Sequence, residues 1–455
     1  MRALRTAFSR TASWMWFCLA CSAFPQRGDL LGVAGLVRAL GLGPRAYDAF
    51  RRLFHSEAFR VDALARAWTK HVFGLLEGRL TKARGMVVCV MDGVMAAKSG
   101  RRMPSVKKLR QHSASNTKPD YIDGHSFQAL SLLARGADGT LAAVPLCAGI
   151  HEGLRFRKGD RRTLFDKAVA MLAAVLPRKC RFLLVADALY GCSKMARGCL
   201  RRHSHLLTRL KGNAVAWEPA PPPPPGSRGR PKRYGRKVRL ADGFSAPDGW
   251  RVKRLHLYGR RRPVWLHTRV LLWRPAGIQV RYVFARFGDG SKAIFMTTCL
   301  GLSPAQVVRL YAMRFKMEVG FKADKHVLGT FAYRFWMEGM DPLPRRPAAQ
   351  DVSSKPRGYA AAVRRKMRAY HAYVQTALIS RGLMVCASLL DTPSILRHAP
   401  WMRTPPSGRR VPSEWTVGHA LRASFGEFLA SRAESCAWAK FLLSQTSAGS
   451  SSLAV

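Results

Sequence analysis

Two short apolar runs, each followed by an aspartate, constrain the fold of this chain more than any other feature of its sequence. Residues 86–91 precede Asp92, and residues 181–186 precede Asp187. Short apolar runs bounded by turn residues are typical of buried strands. Burying a carboxylate beside such a strand is unfavourable unless the group is paired, hydrogen-bonded or bound to a metal. The two runs therefore predict a sheet whose central strands end in a polar site.

The order of the predicted elements indicates an α/β fold with a ribonuclease-H-like core. Three consecutive strands are followed by strands that alternate with helices, which is the order expected of that fold. In it, Asp92 and Asp187 end neighbouring central strands. The predicted strands are residues 87–91, 126–134, 141–150, 181–186 and 205–210, with helices at 161–176 and 193–202.

A third acid, Glu318, lies in a segment that predicts one continuous helix after Ser303. Serine is a favoured N-cap residue, and the proline that follows it suits the first helical position. At about 100° per residue, four side chains fall within an arc of roughly 60°: Tyr311, Arg314, Glu318 and Lys325. One helix face would then carry an acid that can bind a metal, beside two cations and a phenol that can hold phosphate.

These residues resemble those of the DDE transposases of the IS4 type, the insertion-sequence group of the Tn5 and Tn10 enzymes. The resemblance rests on the Tyr-x2-Arg-x3-Glu-x6-Lys pattern and on the two strand aspartates, and it covers about residues 85–340. Gly93 stands where many relatives carry a second aspartate, so Asp123 is the alternative for the first catalytic carboxylate. Asp92 is preferred because Asp123 precedes a strand. Glu338 is the alternative to Glu318.

The resemblance implies metal-dependent DNA cleavage and strand transfer, that is, cut-and-paste transposition of an insertion sequence. Three acids would hold two Mg²⁺ ions, for which Mn²⁺ would substitute, because hard divalent cations prefer carboxylate oxygens. Double-stranded DNA (transposon ends and target) and a second copy of the chain, in a synaptic dimer, are the implied partners. The implied catalytic and metal-binding acids are Asp92, Asp187 and Glu318, and the implied DNA-contacting residues are Tyr311, Arg314 and Lys325. Two other functions stay open, a stand-alone nuclease of the same fold and an inactive DNA-binding descendant.

The charge of the chain favours a nucleic-acid partner. Its 77 Lys and Arg residues outnumber 26 Asp and Glu, which gives a formal net charge of +51, and such an excess is typical of proteins that bind nucleic acid. The basic residues run along the whole chain, whereas a membrane-surface protein concentrates them beside an apolar helix. The apolar run at residues 14–24 is too short to span a bilayer and predicts a core helix. We therefore expect a cytoplasmic, nucleoid-associated bacterial protein without a membrane partner.

The sequence predicts five regions. A helical region at 1–84 is expected to bind DNA ends, and the core is expected at 85–211 and 292–345, with a β insertion at 212–291 between its parts. A helical region at 346–455 is a candidate for dimer contacts. The resemblance implies that a tryptophan of the insertion stacks on a flipped base, and the candidates are Trp217 and Trp265.

Overall fold

The computed structural model describes residues 1–111, 119–226, 229–345, 347–401 and 411–446 of the 455-residue chain. Helices and strands alternate in its central part, while helices dominate both ends. The helices are α1 (Thr11–Gln26), α2 (Gly32–Ala39), α3 (Arg45–His55), α4 (Val61–Leu75), α5 (Leu164–Val175), α6 (Ser193–Leu200), α7 (Pro304–Ala312), α8 (Phe315–His326), α9 (Arg357–Leu390), α10 (Thr392–Arg397), α11 (Glu414–Arg432) and α12 (Ala437–Ser444).

Most of the strands join one large mixed sheet. The strands are β1 (Lys82–Ala83), β2 (Met86–Ala97), β3 (Lys107–Arg110), β4 (Tyr121–Arg135), β5 (Leu141–Ile150), β6 (Leu154–Arg155), β7 (Phe182–Ala186), β8 (His205–Leu210), β9 (Val215–Pro219), β10 (Tyr234–Arg239), β11 (Arg251–Leu257), β12 (Arg260–Trp273), β13 (Ile278–Phe287), β14 (Lys292–Thr297) and β15 (Gln350–Asp351). The sheet has 13 strands and follows the path β10-β9-β12-β13-β14-β8-β7-β2-β4-β3. Its parallel pairs are β2–β7 and β7–β8, and α6 supplies the crossover that a parallel β7–β8 pair requires.

The centre of the sheet is buried on both faces. All of β7 is buried, as are residues 86–92 of β2, which explains why both strands read as continuous apolar runs instead of alternating ones. The prediction that Asp92 ends its strand is wrong, because β2 continues to Ala97. Pairing with β7 stops at Met91, but β2 stays paired with β4 through Ala97.

The helical ends of the chain pack together on the sheet. The 34-residue helix α9 packs against β5 and also contacts α1, α3, α4 and α11. By length and hydropathy α9 resembles a membrane span, but 83% of its apolar window is buried inside the protein, as in a core helix. The apolar run predicted as a core helix lies in α1, where Phe17, Leu19 and Phe24 are fully buried.

The strands of the predicted β insertion continue the central sheet. β12 pairs with β13, β13 with β14, and β14 with β8, so these strands extend the sheet on the β8 side. Residues 227 and 228, in the basic loop of this region, lie outside the described residues, as does the polar end of the chain from 447 onward.

The signature segment forms two helices, so the prediction of one continuous helix is wrong. Ser303 caps α7 as expected, in a reciprocal capping box with Gln306, but α7 ends at Ala312 and α8 begins at Phe315. Hydrogen bonds between residues three apart tighten the chain at this point: the Arg314 N–H donates to the Tyr311 carbonyl and the Met317 N–H to the Arg314 carbonyl. Such a turn has the 3₁₀ geometry and places Arg314 at the start of α8.

Candidate active site

Asp92 and Asp187 lie side by side where the two parallel central strands separate. The last register pair of β2 and β7 is Met91 with Ala186, so the next residue of each strand is one of the two acids. Neighbouring strands lie about 4.8 Å apart, which keeps the two acids close. The two acids thus follow the last parallel pair of two neighbouring central strands, although β2 itself continues past Asp92.

Backbone N–H groups orient both carboxylates. Asp187 starts a short 3₁₀ turn, Ala188–Tyr190, and its Oδ1 accepts the Leu189 N–H at 2.9 Å. Asp92 Oδ1 accepts the N–H of Gly93 at 2.8 Å. Each carboxylate keeps a second oxygen for another ligand.

Arg314 joins the helix acid to the strand acid. Its guanidinium donates to an oxygen of Asp92 through Nη1 and to Oε1 of Glu318 at 2.7 Å through Nη2. The side chain of Asp92 is 13% exposed, that of Arg314 17%, and that of Glu318 45%. Glu318 thus faces solvent at the edge of a site whose floor is buried, and an incoming ligand would meet it first.

The electrostatics of the site favour a cation. Burial raises the pKa of Asp92 to about 6, against the opposing charge of Arg314 and with the support of the negative charges of Asp187 and Glu318. Burial and the charges of the same two aspartates also raise the pKa of Tyr190. Added positive charge here would relieve the repulsion among the carboxylates.

The acids offer the ligand chemistry of a hard divalent cation, which prefers carboxylate oxygens. Within the described residues, however, no group of three His, Cys, Asp or Glu side chains is arranged to hold a metal ion. In this conformation the positive charge between Asp92 and Glu318 is the guanidinium of Arg314. The donor set therefore fits such an ion by its chemistry, while two of the three carboxylates, those of Asp92 and Glu318, are paired with Arg314.

Two of the three predicted DNA-contacting residues lie at the acids. The Tyr311 ring packs on Phe295, with ring centroids 4.9 Å apart, and the Arg314 guanidinium carbon lies 5.7 Å from the Tyr311 ring centroid. Lys325 is exposed and follows Glu318 by seven residues of α8, a rise of about 10 Å. The Cα of Lys325 therefore lies about two helical turns from that of Glu318 along α8.

The alternative acids lie elsewhere. Asp123 is exposed on β4, six residues from Ala129, the partner of Asp92, and this is about 20 Å along the strand. Glu338 lies after α8, and its carbonyl accepts from Arg102 at 2.5 Å. Neither joins the Asp92–Asp187 pair.

The two candidate tryptophans differ in exposure. Trp217 is half-buried and packs edge-on against Tyr234, with the Arg274 guanidinium 5.7 Å from its ring. Trp265 is 37% exposed and lies beside Arg286 in a separate small cleft. Trp265 is therefore the more accessible of the two.

Sequence reasoning missed a hairpin tip that touches α8. Tyr258 and Gly259 both have positive φ and form the two-residue turn between β11 and β12. The Tyr258 ring meets Phe315, the first residue of α8, edge-on with centroids 5.7 Å apart, and both are exposed. A Tyr-Gly pair between two strand-like runs was the available signal.

Comparison with known protein families matches residues 8–270 to the DDE superfamily endonucleases, which is more than half of the chain. The matched segment includes both strand aspartates, and Glu318 follows it. No curated protein matches the chain. The mixed sheet with its flanking helices is consistent with the fold of this family, whose members are DNA nucleases that use divalent metals. This chain belongs to the DDE superfamily endonucleases.

Proposed function

We propose that this chain is a DNA transposase of the IS4 type, which binds the ends of an insertion sequence and moves it by cut-and-paste transposition. The observation that carries the proposal is the register of β2 and β7, which aligns Asp92 with Asp187, together with Arg314, which ties Glu318 to Asp92. Two acids lie where the parallel pairing of β2 and β7 stops, and a third, on α8, is linked to one of them through Arg314. A ribonuclease-H-like core is part of the proposal.

Each acid has a distinct role in this reaction. Divalent metal ions, when bound by the three acids, would lower the pKa of the attacking water and neutralise charge on the scissile phosphate. Asp92 and Asp187 are the fixed ligands, because backbone N–H groups hold one oxygen of each. Glu318 is the mobile ligand, because its side chain is nearly half exposed.

Arg314 is the residue that changes partners. A guanidinium binds phosphate and carboxylate with the same bidentate geometry, so a DNA phosphate at the site competes with Asp92 and Glu318 for it. The Tyr311 ring lies beside the arginine, with its centroid 5.7 Å from the guanidinium carbon. The exposed Lys325 would contact the DNA backbone further along α8.

The wider partners follow from the charge and the family. A net charge of +51 suits a protein that holds two transposon ends and a target in one complex, and a dimer would present two acid sites to them. Such a protein acts on the nucleoid in the bacterial cytoplasm.

Cleavage and strand-transfer assays test the proposal. Purified protein should nick a transposon-end duplex in Mg²⁺ or Mn²⁺, bind without cutting in Ca²⁺, and join the released 3′ end to a target plasmid. Asp92→Asn and Asp187→Asn should abolish both products. The matched control, Asp123→Asn, alters an exposed acid on β4 and should cut normally. Cleavage in EDTA, or equal loss in the Asp123 variant, would contradict the assignment.

One observation favours a second function, that of a DNA-binding descendant without cleavage. Arg314 already pairs with both Asp92 and Glu318, and an arginine held in that position would keep metal ions out. A protein that binds end duplexes but yields no nick across a Mn²⁺ titration would support this alternative.

A further inference from the structure

A second cleft, of about 1030 Å³, lies between α3, α9 and the segments that follow β2 and α8. Its walls are strongly cationic, and Glu338 is the one acidic residue among the described residues that line it. Two arginines come from α3, one from the segment after β2, and two cations from α9. They are Arg51, Arg52, Arg102, Arg365 and Lys366.

The cationic side chains of this cleft repel one another. Burial lowers the pKa of His55, and the charges of Lys366, Arg51 and Arg365 lower it further. Burial and the charge of Arg51 also lower the pKa of Lys366. A bound anion would reduce this repulsion. Because the cations come from both α3 and α9, a chain of consecutive phosphates could contact them better than a single phosphate could.

An aromatic platform lies in the same cleft. Trp336 is 64% exposed, which is unusual for a residue that normally buries most of its surface. Its neighbours hold the backbone on both sides: the Tyr370 hydroxyl donates to the Phe335 carbonyl at 2.6 Å, and the Met337 N–H donates to the Arg102 carbonyl at 2.9 Å. The backbone on both sides of Trp336 is therefore fixed, and its exposed indole face is available for stacking with another planar ring.

The segment that leads to Phe335 and Trp336 of the cleft is bonded to the end of the strand that carries the first acid. Lys98, just past the end of β2, is buried and donates to the carbonyls of Phe331 and Tyr333 at 2.6 and 2.8 Å. It follows Asp92 by six residues of extended chain, about 20 Å. At 3.4 Å per nucleotide of one strand, the stretch from Asp92 to Lys98 is as long as about six nucleotides of DNA.

We propose that this cleft binds a short unpaired segment of the DNA substrate, with a base stacked on Trp336 and neighbouring phosphates on the cations of α3 and α9. The inference rests on the proposed function, because it requires DNA at the acid site. An indole face can stack on a base only when that base has left its own stack, and cationic grooves with aromatic platforms are the usual way to hold single strands. The cleft thus receives a strand that has separated from its partner beside the cleavage site.

Binding measurements on the whole protein in EDTA test this proposal. The probes are a fluorescein-labelled single strand of about 12 nucleotides and the duplex of the same sequence. Trp336→Ala should weaken single-strand binding about tenfold, the worth of one stacked base, and leave duplex binding almost unchanged. The matched control is Trp415→Ala on α11, where the tryptophan is 48% exposed, and it should bind both probes as the wild type does.

The cations are tested through salt dependence. Arg52→Ala and Arg365→Ala remove exposed arginines of the cleft, and each should reduce the slope of log affinity against log salt for the single strand by about 0.7. Trp336→Ala should keep the wild-type slope. Arg432→Ala, at the exposed end of α11, is the matched control and should also keep it.

Two outcomes would overturn the proposal. Equal weakening of single-strand and duplex binding by Trp336→Ala would make the cleft a duplex-backbone contact, and unchanged single-strand binding would remove the cleft as a site. The proposed function is judged separately, because Asp92→Asn should abolish cleavage while single-strand binding persists. Cleavage that survives Asp92→Asn defeats the proposed function, whereas unchanged single-strand binding with normal wild-type cleavage defeats this inference alone.

Discussion

Two arginine-centred ion clusters lie on different faces of α8 and differ mainly in their contact with water. At the first, Arg314 joins Asp92 and Glu318, and the arginine side chain is 17% exposed. At the second, Arg381 of α9 joins Asp324 at 3.0 Å and Glu414 at 3.3 Å, and it is only 2% exposed. Each cluster thus consists of one arginine, one aspartate and one glutamate. The Arg314 cluster is accessible to ligands, whereas the Arg381 cluster is buried between helices.

The buried cluster fixes the helical layer. It joins α8, α9 and α11, and the Thr330 hydroxyl donates to Asp324 Oδ1 at 2.8 Å. Burial raises the pKa of Asp324, and the charge of Arg381 opposes this shift. A buried pair contributes little net stability, but loss of one partner leaves an uncompensated charge. The comparison shows that Arg381 is enclosed with its partners, whereas Arg314 and Glu318 are partly open to solvent and so to other partners.

We expect the largest effect at the cluster of Arg314, Asp92 and Glu318, called here the open cluster, where a substitution should change the cleavage rate but not the stability. Glu318→Gln keeps the size of the side chain and removes the charge, so cleavage should fall on the order of a thousandfold or more, since several kcal/mol of transition-state stabilisation are lost. Binding of end duplex and the thermal midpoint should hardly change, because Glu318 is exposed. Cleavage and band-shift assays on the same duplex measure both. A variant that cuts normally would remove Glu318 from the site.

We expect the next largest effect at the cluster of Arg381, Asp324 and Glu414, called here the closed cluster, where a substitution should change the stability of the fold. Arg381→Ala leaves the fully buried carboxylate of Asp324 without its cation and should lower the free energy of unfolding by about 3–5 kcal/mol. The matched change at Arg314, Arg314→Ala, should lower it by less, because Glu318 is 45% exposed and Asp92, whose pKa burial already raises to about 6, can take up a proton and keeps its bond from the Gly93 N–H. Urea denaturation of both variants measures the contrast. Equal losses would mean that the two clusters do not differ as described.

A glycine sharpens the comparison at the closed cluster. A Cβ at Gly320 would lie 2.6 Å from Nη1 of Arg381, so Gly320→Ala should push the arginine off its partners and destabilise the protein by about 1–3 kcal/mol. The control is Gly426→Ala in α11, where a Cβ meets nothing within 4 Å and should stabilise by up to about 1 kcal/mol. Thermal denaturation compares the two. A neutral Gly320→Ala would show that Arg381 has room to move.

Lys98 is a further basic residue to compare with Arg314 and Arg381, but its amino group is bonded to backbone carbonyls instead of carboxylates. Burial, with a smaller effect of Arg334, lowers the pKa of Lys98 to about 7, and the neutral amine still has two N–H groups for its two carbonyl partners. Between pH 7 and the ordinary lysine pKa, the unfolded chain then binds more protons than the folded one. The free energy of unfolding should therefore rise with pH in this window, by up to about 1.4 kcal/mol per pH unit.

Urea denaturation of the wild type and of Lys98→Met between about pH 7 and pH 10 checks this slope. The difference between the two curves isolates Lys98 from the thiols and phenols that titrate in the same range. The wild type should gain stability relative to Lys98→Met as pH rises. Parallel curves would show that Lys98 keeps its proton in the folded state.

The sequence predicted those parts of the candidate site whose packing is visible in the local sequence pattern. The strands that carry Asp92 and Asp187 are buried on both faces, so their apolar runs were readable without knowledge of their neighbours. The continuation of β2 past Asp92 was not readable, because the pairing with β4 alone sustains it. The break between α7 and α8 carries no glycine or proline, and it accompanies the contact of Arg314 with Asp92, two residues far apart in sequence. The same holds for Arg381, whose partners lie on other helices.

The packing of α1 on α9 delays the complete folding of α1 until α9 has been synthesised. The Ser380 hydroxyl donates to the Cys21 carbonyl at 2.7 Å, and Cys21 in turn donates to Thr376, 355 residues away. At about 5–20 residues per second of synthesis, the apolar face of α1 waits roughly 20 to 70 s for its partner. During that interval the side chains of α1 that pack on α9, such as Phe24 against Tyr373, lack their native partners, whereas Phe17 and Trp16 can already pack on Phe8 and Phe50. Ribosome-bound chains stalled before α9 should therefore remain protease-sensitive in α1, and chains stalled well beyond it should not.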